Sequence, residues 1–82
     1  MLVSQIFNEF FSYNINVNIG DIIKNLRQEQ KMSQTQLATL LFTSQDTISL
    51  WERNKSLPDI KSVIKMTKIF NVTADYLLGL EI

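Results

Sequence analysis

The chain has 82 residues, 45% of them hydrophobic and 20% charged, with eight basic and eight acidic side chains and a pI near 6.1. These values describe one small globular domain and exclude both a disordered segment and a bulk polycation, while leaving room for a reader whose charges are placed locally. With no cysteine and no histidine, there is no disulfide framework, no thiolate or imidazole metal site and no usual general acid–base residue, so no metal, no cofactor and no enzyme activity are expected.

No apolar run approaches the roughly 20 residues of a membrane span. The apolar start has no basic leader region, and Asn8 and Glu9 interrupt it, so a signal peptide is not expected and the compartment is read as cytoplasmic. Within residues 1–18, Val3, Ile6, Phe7 and Phe10 recur at helical spacing, and then Tyr13, Ile15 and Val17 alternate with Asn14, Asn16 and Asn18. This extension is expected to form a short helix or an extended arm. Its aromatics Phe7, Phe10 and Phe11 either cover the core or meet a partner.

A first helix is predicted from Ile19 to about Gln30, capped by Asn18, with Asp21 in its first turn and Ile19, Ile22, Ile23 and Leu26 as its apolar stripe. A second starts after Ser33, where Gln36 completes a capping-box pattern. Its inward residues are expected to be Leu37, Ala38, Leu40 and Leu41. Phe42-Thr43 makes a turn, and Ser44 or Thr43 caps a third helix running to about Arg53, with Asn54 left-handed at its end. A fourth helix opens at Leu57-Pro58-Asp59 and runs to Phe70. Ile60, Val63, Ile64, Thr67 and Phe70 are expected on or near its inner face, and Lys61, Lys65 and Lys68 on a solvated one. Thr73 caps a last short helix, Ala74 to Leu78, which Gly79 ends. The expected division is an extension (1–18), a helical domain (19–79) and a tail (80–82).

The second and third helices, joined by a tight turn, have the form of a DNA reader. The third buries Ile48 and Trp51 and offers a polar row outward. Gln45 suits adenine, because a glutamine amide pairs bidentately with N6 and N7. Asp46 either accepts from cytosine N4 or simply favours the helix N-terminus. Leu50 is apolar where exposure is expected; its target is a thymine methyl, and the alternative is packing at the rim of the core. Ser44, Thr47 and Ser49 complete the face. Arg53, Asn54 and Lys55, with Ser56, form a loop suited to phosphates, or else a solvated turn. Gln34 opens the second helix, whose N-terminal N–H groups favour a phosphate.

Taken together, Ile22, Leu26-Arg27, Met32-Ser33-Gln34, Leu37-Ala38, Ser44-Gln45, Ile48-Ser49, Trp51-Glu52, Pro58-Asp59 and the run Asn71 to Gly79 resemble the Cro and phage-repressor type of helix-turn-helix protein, the XRE family. The resemblance spans residues 19–79. It implies an all-α, five-helix, lambda-repressor-like domain in which helix 44–53 enters the major groove, and it leaves the N-terminal extension unaccounted for. It also implies an ion pair between Arg27 and Glu52 tying the first helix to the third. The function implied is sequence-specific binding of double-stranded DNA by a homodimer on a palindromic operator. Repression is expected over activation, since 82 residues leave no room for a separate ligand domain. The dimer surface is expected at the fifth helix with Leu80-Glu81-Ile82, or at residues 1–13. Neither a membrane nor a small-molecule substrate is expected as a partner. The alternative is a protein-interaction module, antitoxin-like or anti-repressor-like, that kept the fold without DNA binding.

Overall fold

Hydroxyl and carboxylate side chains set where the helices begin. In the computed structural model, which describes residues 19–80, these are α1 (Ile19–Glu29), α2 (Gln34–Leu40), α3 (Gln45–Glu52), α4 (Ile60–Phe70) and α5 (Ala74–Leu77), with no strand among the described residues. The predicted helix or arm in 1–18, the Asn18 cap and tail residues 81–82 lie outside them. Ser33 Oγ accepts the Gln36 N–H at 3.0 Å while Gln36 Oε1 accepts the Ser33 N–H at 2.7 Å, a complete capping box. Ser44, rather than Thr43, caps α3 by accepting the Thr47 N–H at 3.2 Å. Asp59 and Thr73 cap α4 and α5 in the same way.

The helix ends share one device. Each is followed by a residue with positive φ: Lys31 (54°), Phe42 (56°), Asn54 (58°), Asn71 (56°) and Gly79 (76°). After α3, the Asn54 N–H reaches the Trp51 carbonyl at 3.0 Å and the Lys55 N–H reaches Leu50 at 2.8 Å, the paired bonds of a Schellman motif. The same pair of bonds closes α1, α2 and α5. Only Gly79 occupies such a place without a Cβ, and Asn tolerates it; Lys31 and Phe42 do so at a cost on the order of 1–2 kcal/mol each.

Every helix contributes one fully buried side chain to a common core: Ile23, Leu37, Ile48, Met66 and Leu77. Burial of each stabilises by about 1.5–3 kcal/mol relative to exposure. Ile19, Leu26, Ala38, Leu41, Trp51, Val63 and Phe70 surround them. Of the helices, α3 packs on both α1 and α2, and α5 on α4 and α1. Three expected inward residues point outward instead: Leu40 (47% exposed), Ile60 (71%) and Ile64 (54%). The reason is the same in both helices. α2 buries the stripe Leu37, Ala38 and Leu41, and α4 buries Ser62, Val63, Met66 and Phe70. Both helices carry apolar residues on a second face as well, so periodicity fits either choice.

Two polar features fasten the core. Arg27 and Glu52, 8% and 6% exposed, join α1 to α3 through two bonds, Nε to Oε2 at 2.6 Å and Nη2 to Oε1 at 3.0 Å. Arg27 Nη1 also donates to the Met32 carbonyl at 2.7 Å. The hydrogen bond to Glu52 raises the Arg27 pKa against the opposing effect of burial, so the guanidinium stays charged. At the other end of α1, the Gly20 N–H donates to Asn54 Oδ1 at 3.0 Å. A Cβ at Gly20 would lie 2.4 Å from the Trp51 carbonyl oxygen, so only glycine lets α1 approach the end of α3 this closely.

Three outcomes follow for urea-denaturation measurements. Glu52→Ala leaves the Arg27 charge buried and unpaired, and stability should fall by roughly 3–5 kcal/mol; an unchanged midpoint would contradict the role given to the pair. Lys31→Gly removes left-handed strain and should raise stability by about 1 kcal/mol, less whatever the freer unfolded chain takes back. Asp59 has its pKa lowered, first by the Ser62 hydroxyl and then by the Ser62 N–H. Its contribution is therefore present above the unfolded carboxyl pKa of about 3.9 and lost as pH falls through the lower folded value. Asp59→Asn should be less stable than the parent near neutral pH, and the gap should close in acid below about pH 4.

Candidate nucleic-acid interface

α3 is eight residues long, too short to persist alone, and is fixed by its caps and by Ile48 and Trp51 on its inner side. Fixing that side leaves the rest of the helix outward. Gln45 and Asp46 are exposed in the first turn, Thr47 and Ser49 are half-buried, and Leu50 is 39% exposed. Ser44 Oγ serves the cap and lies 2.9 Å from Thr47 Oγ1. Ser49 Oγ accepts from Arg53 Nε at 3.2 Å, which lays the guanidinium along the outer side of the helix.

The first turn of α3 is wired to the buried ion pair. Gln45 Nε2 donates to Gln34 Oε1 at 2.6 Å, and Gln34 Nε2 donates to Glu52 Oε1 at 2.9 Å. Arg27, Glu52, Gln34 and Gln45 thus form one continuous chain of bonds from core to surface. Spacing in the sequence does not reveal it, because it joins residues from three helices. Each glutamine amide keeps capacity beyond the chain. Gln45 retains its Oε1 and one N–H, the set that adenine N6 and N7 require, and Gln34 retains one N–H at the start of α2.

The loop after α3 brings Arg53, Asn54, Lys55 and Ser56 to the surface. Arg53 and Lys55 present the cations. The Asn54 side chain is occupied instead by the Gly20 N–H, so its carbonyl oxygen holds α1 in place. The zero net charge conceals an uneven distribution. Between residues 53 and 74 stand Arg53, Lys55, Lys61, Lys65 and Lys68 against the single acid Asp59. Lys65 is not simply solvated: its Nζ sits 4.4 Å from the centre of the Phe42 ring. Among the described residues, no group of acidic side chains could hold a metal ion, and no helix is long and apolar enough to cross a membrane.

The sequence and the fold have counterparts among known proteins. Residues 23–77 match the profile of the helix-turn-helix family. The chain is 39% identical over 65 residues to the HTH-type transcriptional activator BcrR of Enterococcus faecalis, covering 79% of this chain and 32% of that protein. It is 32% identical over 63 residues to the HTH-type transcriptional regulator ImmR of Bacillus subtilis (strain 168), covering 77% and 50%. The chain therefore spans between a third and a half of the length of these relatives. Its fold superposes on the P22 c2 repressor, solved in complex with a synthetic operator, with a TM-score of 0.72 and 28% identity, covering 77% of this chain and 96% of that one. It also superposes on a transcriptional regulator from Listeria innocua with a TM-score of 0.73 and 24% identity, covering 76% and 58%, a likeness of fold alone. With its profile match extending from α1 to α5 and its fold that of a phage repressor, the chain belongs to the XRE-type helix-turn-helix family.

Proposed function

We propose that this chain is a sequence-specific transcriptional regulator of the bacterial or phage-infected cytoplasm. It binds double-stranded DNA with α3 in the major groove, acts as a repressor, and occupies a palindromic operator as a dimer. The observation that carries the reading is the outward first turn of α3, held in place before any ligand arrives by the Gln34–Gln45 bond. Preorganisation of this kind removes part of the ordering cost of binding. Gln45, Asp46, Ser49 and Leu50 meet base edges; Gln34, Ser44, Thr47, Arg53, Lys55 and the backbone at Asn54 meet phosphates. Repression follows the likeness to the P22 c2 repressor; the likeness to the activator BcrR extends over only a third of that protein and does not carry its sign of regulation to this chain.

The dimer surface assigned here is the end of α5. Tyr76 and Leu80 are 45% and 43% exposed beside the half-buried Leu78, an apolar edge that a second copy would cover. Reading two half-sites one DNA turn apart requires a pairing that holds the two copies of α3 roughly 34 Å apart.

Selection of random duplexes by the purified protein tests this reading. A palindromic motif is expected. No enrichment from folded protein would replace it with a protein-interaction module. With the selected duplex, Gln45→Ala should cost about 1–3 kcal/mol, confined to one base position, without altering the folding midpoint. Sequence preference equal to the parent's would remove Gln45 from the reading set. Lys55→Ala should weaken binding to all duplexes alike and reduce the slope of log K against log salt by about one. An unaltered slope would mean that Lys55 touches no phosphate.

A further inference from the structure

α4 presents a second apolar face that the described residues leave uncovered. Ile60 and Ile64, one turn apart, are 71% and 54% exposed, and Leu57 just before the helix is 58% exposed. Phe42, 86% exposed, borders this face through its contact with Lys65. Lys61, Lys65 and Lys68 flank it along the helix, with no acid from Ile60 to Ala74. A face both apolar and basic, on a helix that does not read DNA in the proposal above, calls for a partner with apolar side chains and no positive charge.

We propose that residues 1–18 of the same chain are that partner. Two observations converge on them. Eighteen residues reach up to roughly 60 Å when extended, against about 16 Å for the whole of α4, so length imposes no limit. The composition also matches. The segment carries Val3, Ile6, Phe7, Phe10 and Phe11, has no Lys or Arg, and places its one acidic side chain, Glu9, among these residues. A tether this short holds the segment at an effective concentration on the order of mM, which favours it over a second copy of the chain at ordinary concentrations. Apolar Leu57, Ile60 and Ile64 suit these side chains and do not suit a phosphate backbone. The extension of the family domain is thereby a cover for its fourth helix.

The absence of cysteine allows a direct test in the full chain. A nitroxide placed at Lys68→Cys should reduce the NMR amide intensities of residues 3–13 by about two-fold or more, as expected for a segment tethered at mM effective concentration. The surface pair Ile60→Ser with Ile64→Ser, which leaves the core intact, should restore them. Full intensities in the labelled protein would overturn the proposal. So would a loss seen only between molecules in a mixed sample, which would assign the face to a second copy. Full intensities together with shifts of Lys61, Lys65 and Lys68 on adding duplex would assign it to DNA instead.

Discussion

The bidentate pair between Arg27 and Glu52 is the constraint on which the rest of this small domain depends. Taking two charges out of water costs several kcal/mol for each ion, and attraction offsets that cost only when geometry is good and the remaining hydrogen-bonding groups are satisfied. Here they are. Glu52 receives both Arg27 bonds and one from Gln34, and Arg27 also serves the Met32 carbonyl. Among the described residues, no buried side-chain polar atom lacks a partner. The pair sets the register of α1 against α3, and its bond to Gln34 carries that register to Gln45. One arrangement therefore fixes both the core and the exposed first turn of α3.

Helix length explains why so much depends on contacts between helices. α2, α3 and α5 have seven, eight and four residues, too few for local propensity to sustain them. They persist because side chains cap their starts, left-handed residues close their ends, and one residue from each helix meets at the centre. Left-handed Lys31 and Phe42 show the extent to which this chain accepts local strain to keep its turns tight. At Phe42 part of that strain is offset by the Lys65 cation over the ring, worth about 0.5–1 kcal/mol at an exposed site.

Local chemistry was readable from the sequence wherever partners lie within a turn of each other. Ser33 with Gln36, Ser44 or Thr43 before Gln45, Thr73 before Ala74 and Asn54 after α3 all carry their signals in adjacent residues, whereas Asp59, expected as the first residue of α4, is its cap. The inner residues Ile48 and Trp51 were readable for the same reason. The second apolar face of α4 was not, because Ile60, Val63, Ile64 and Met66 satisfy helical periodicity in more than one way, and only tertiary packing decides between Met66 and Ile64. The surroundings of the candidate site were also hidden. The Gln34–Gln45 bond and the occupation of Asn54 by Gly20 each join residues far apart in sequence, and no spacing rule reaches them. The polar row on α3 could be named residue by residue, whereas its preorganisation could not.

In the function proposed above, the outer side of α3, fixed from within by the buried pair, is the surface that reads DNA. An NMR titration of the intact chain with the selected duplex, set against a scrambled duplex, tests it most directly. The largest amide and side-chain shifts are expected on Gln34, Gln45, Asp46, Ser49, Leu50, Arg53 and Lys55, while the indole of Trp51 and the guanidinium of Arg27 stay nearly fixed. Shifts concentrated on α4 and α5, or equal responses to the two duplexes, would contradict it.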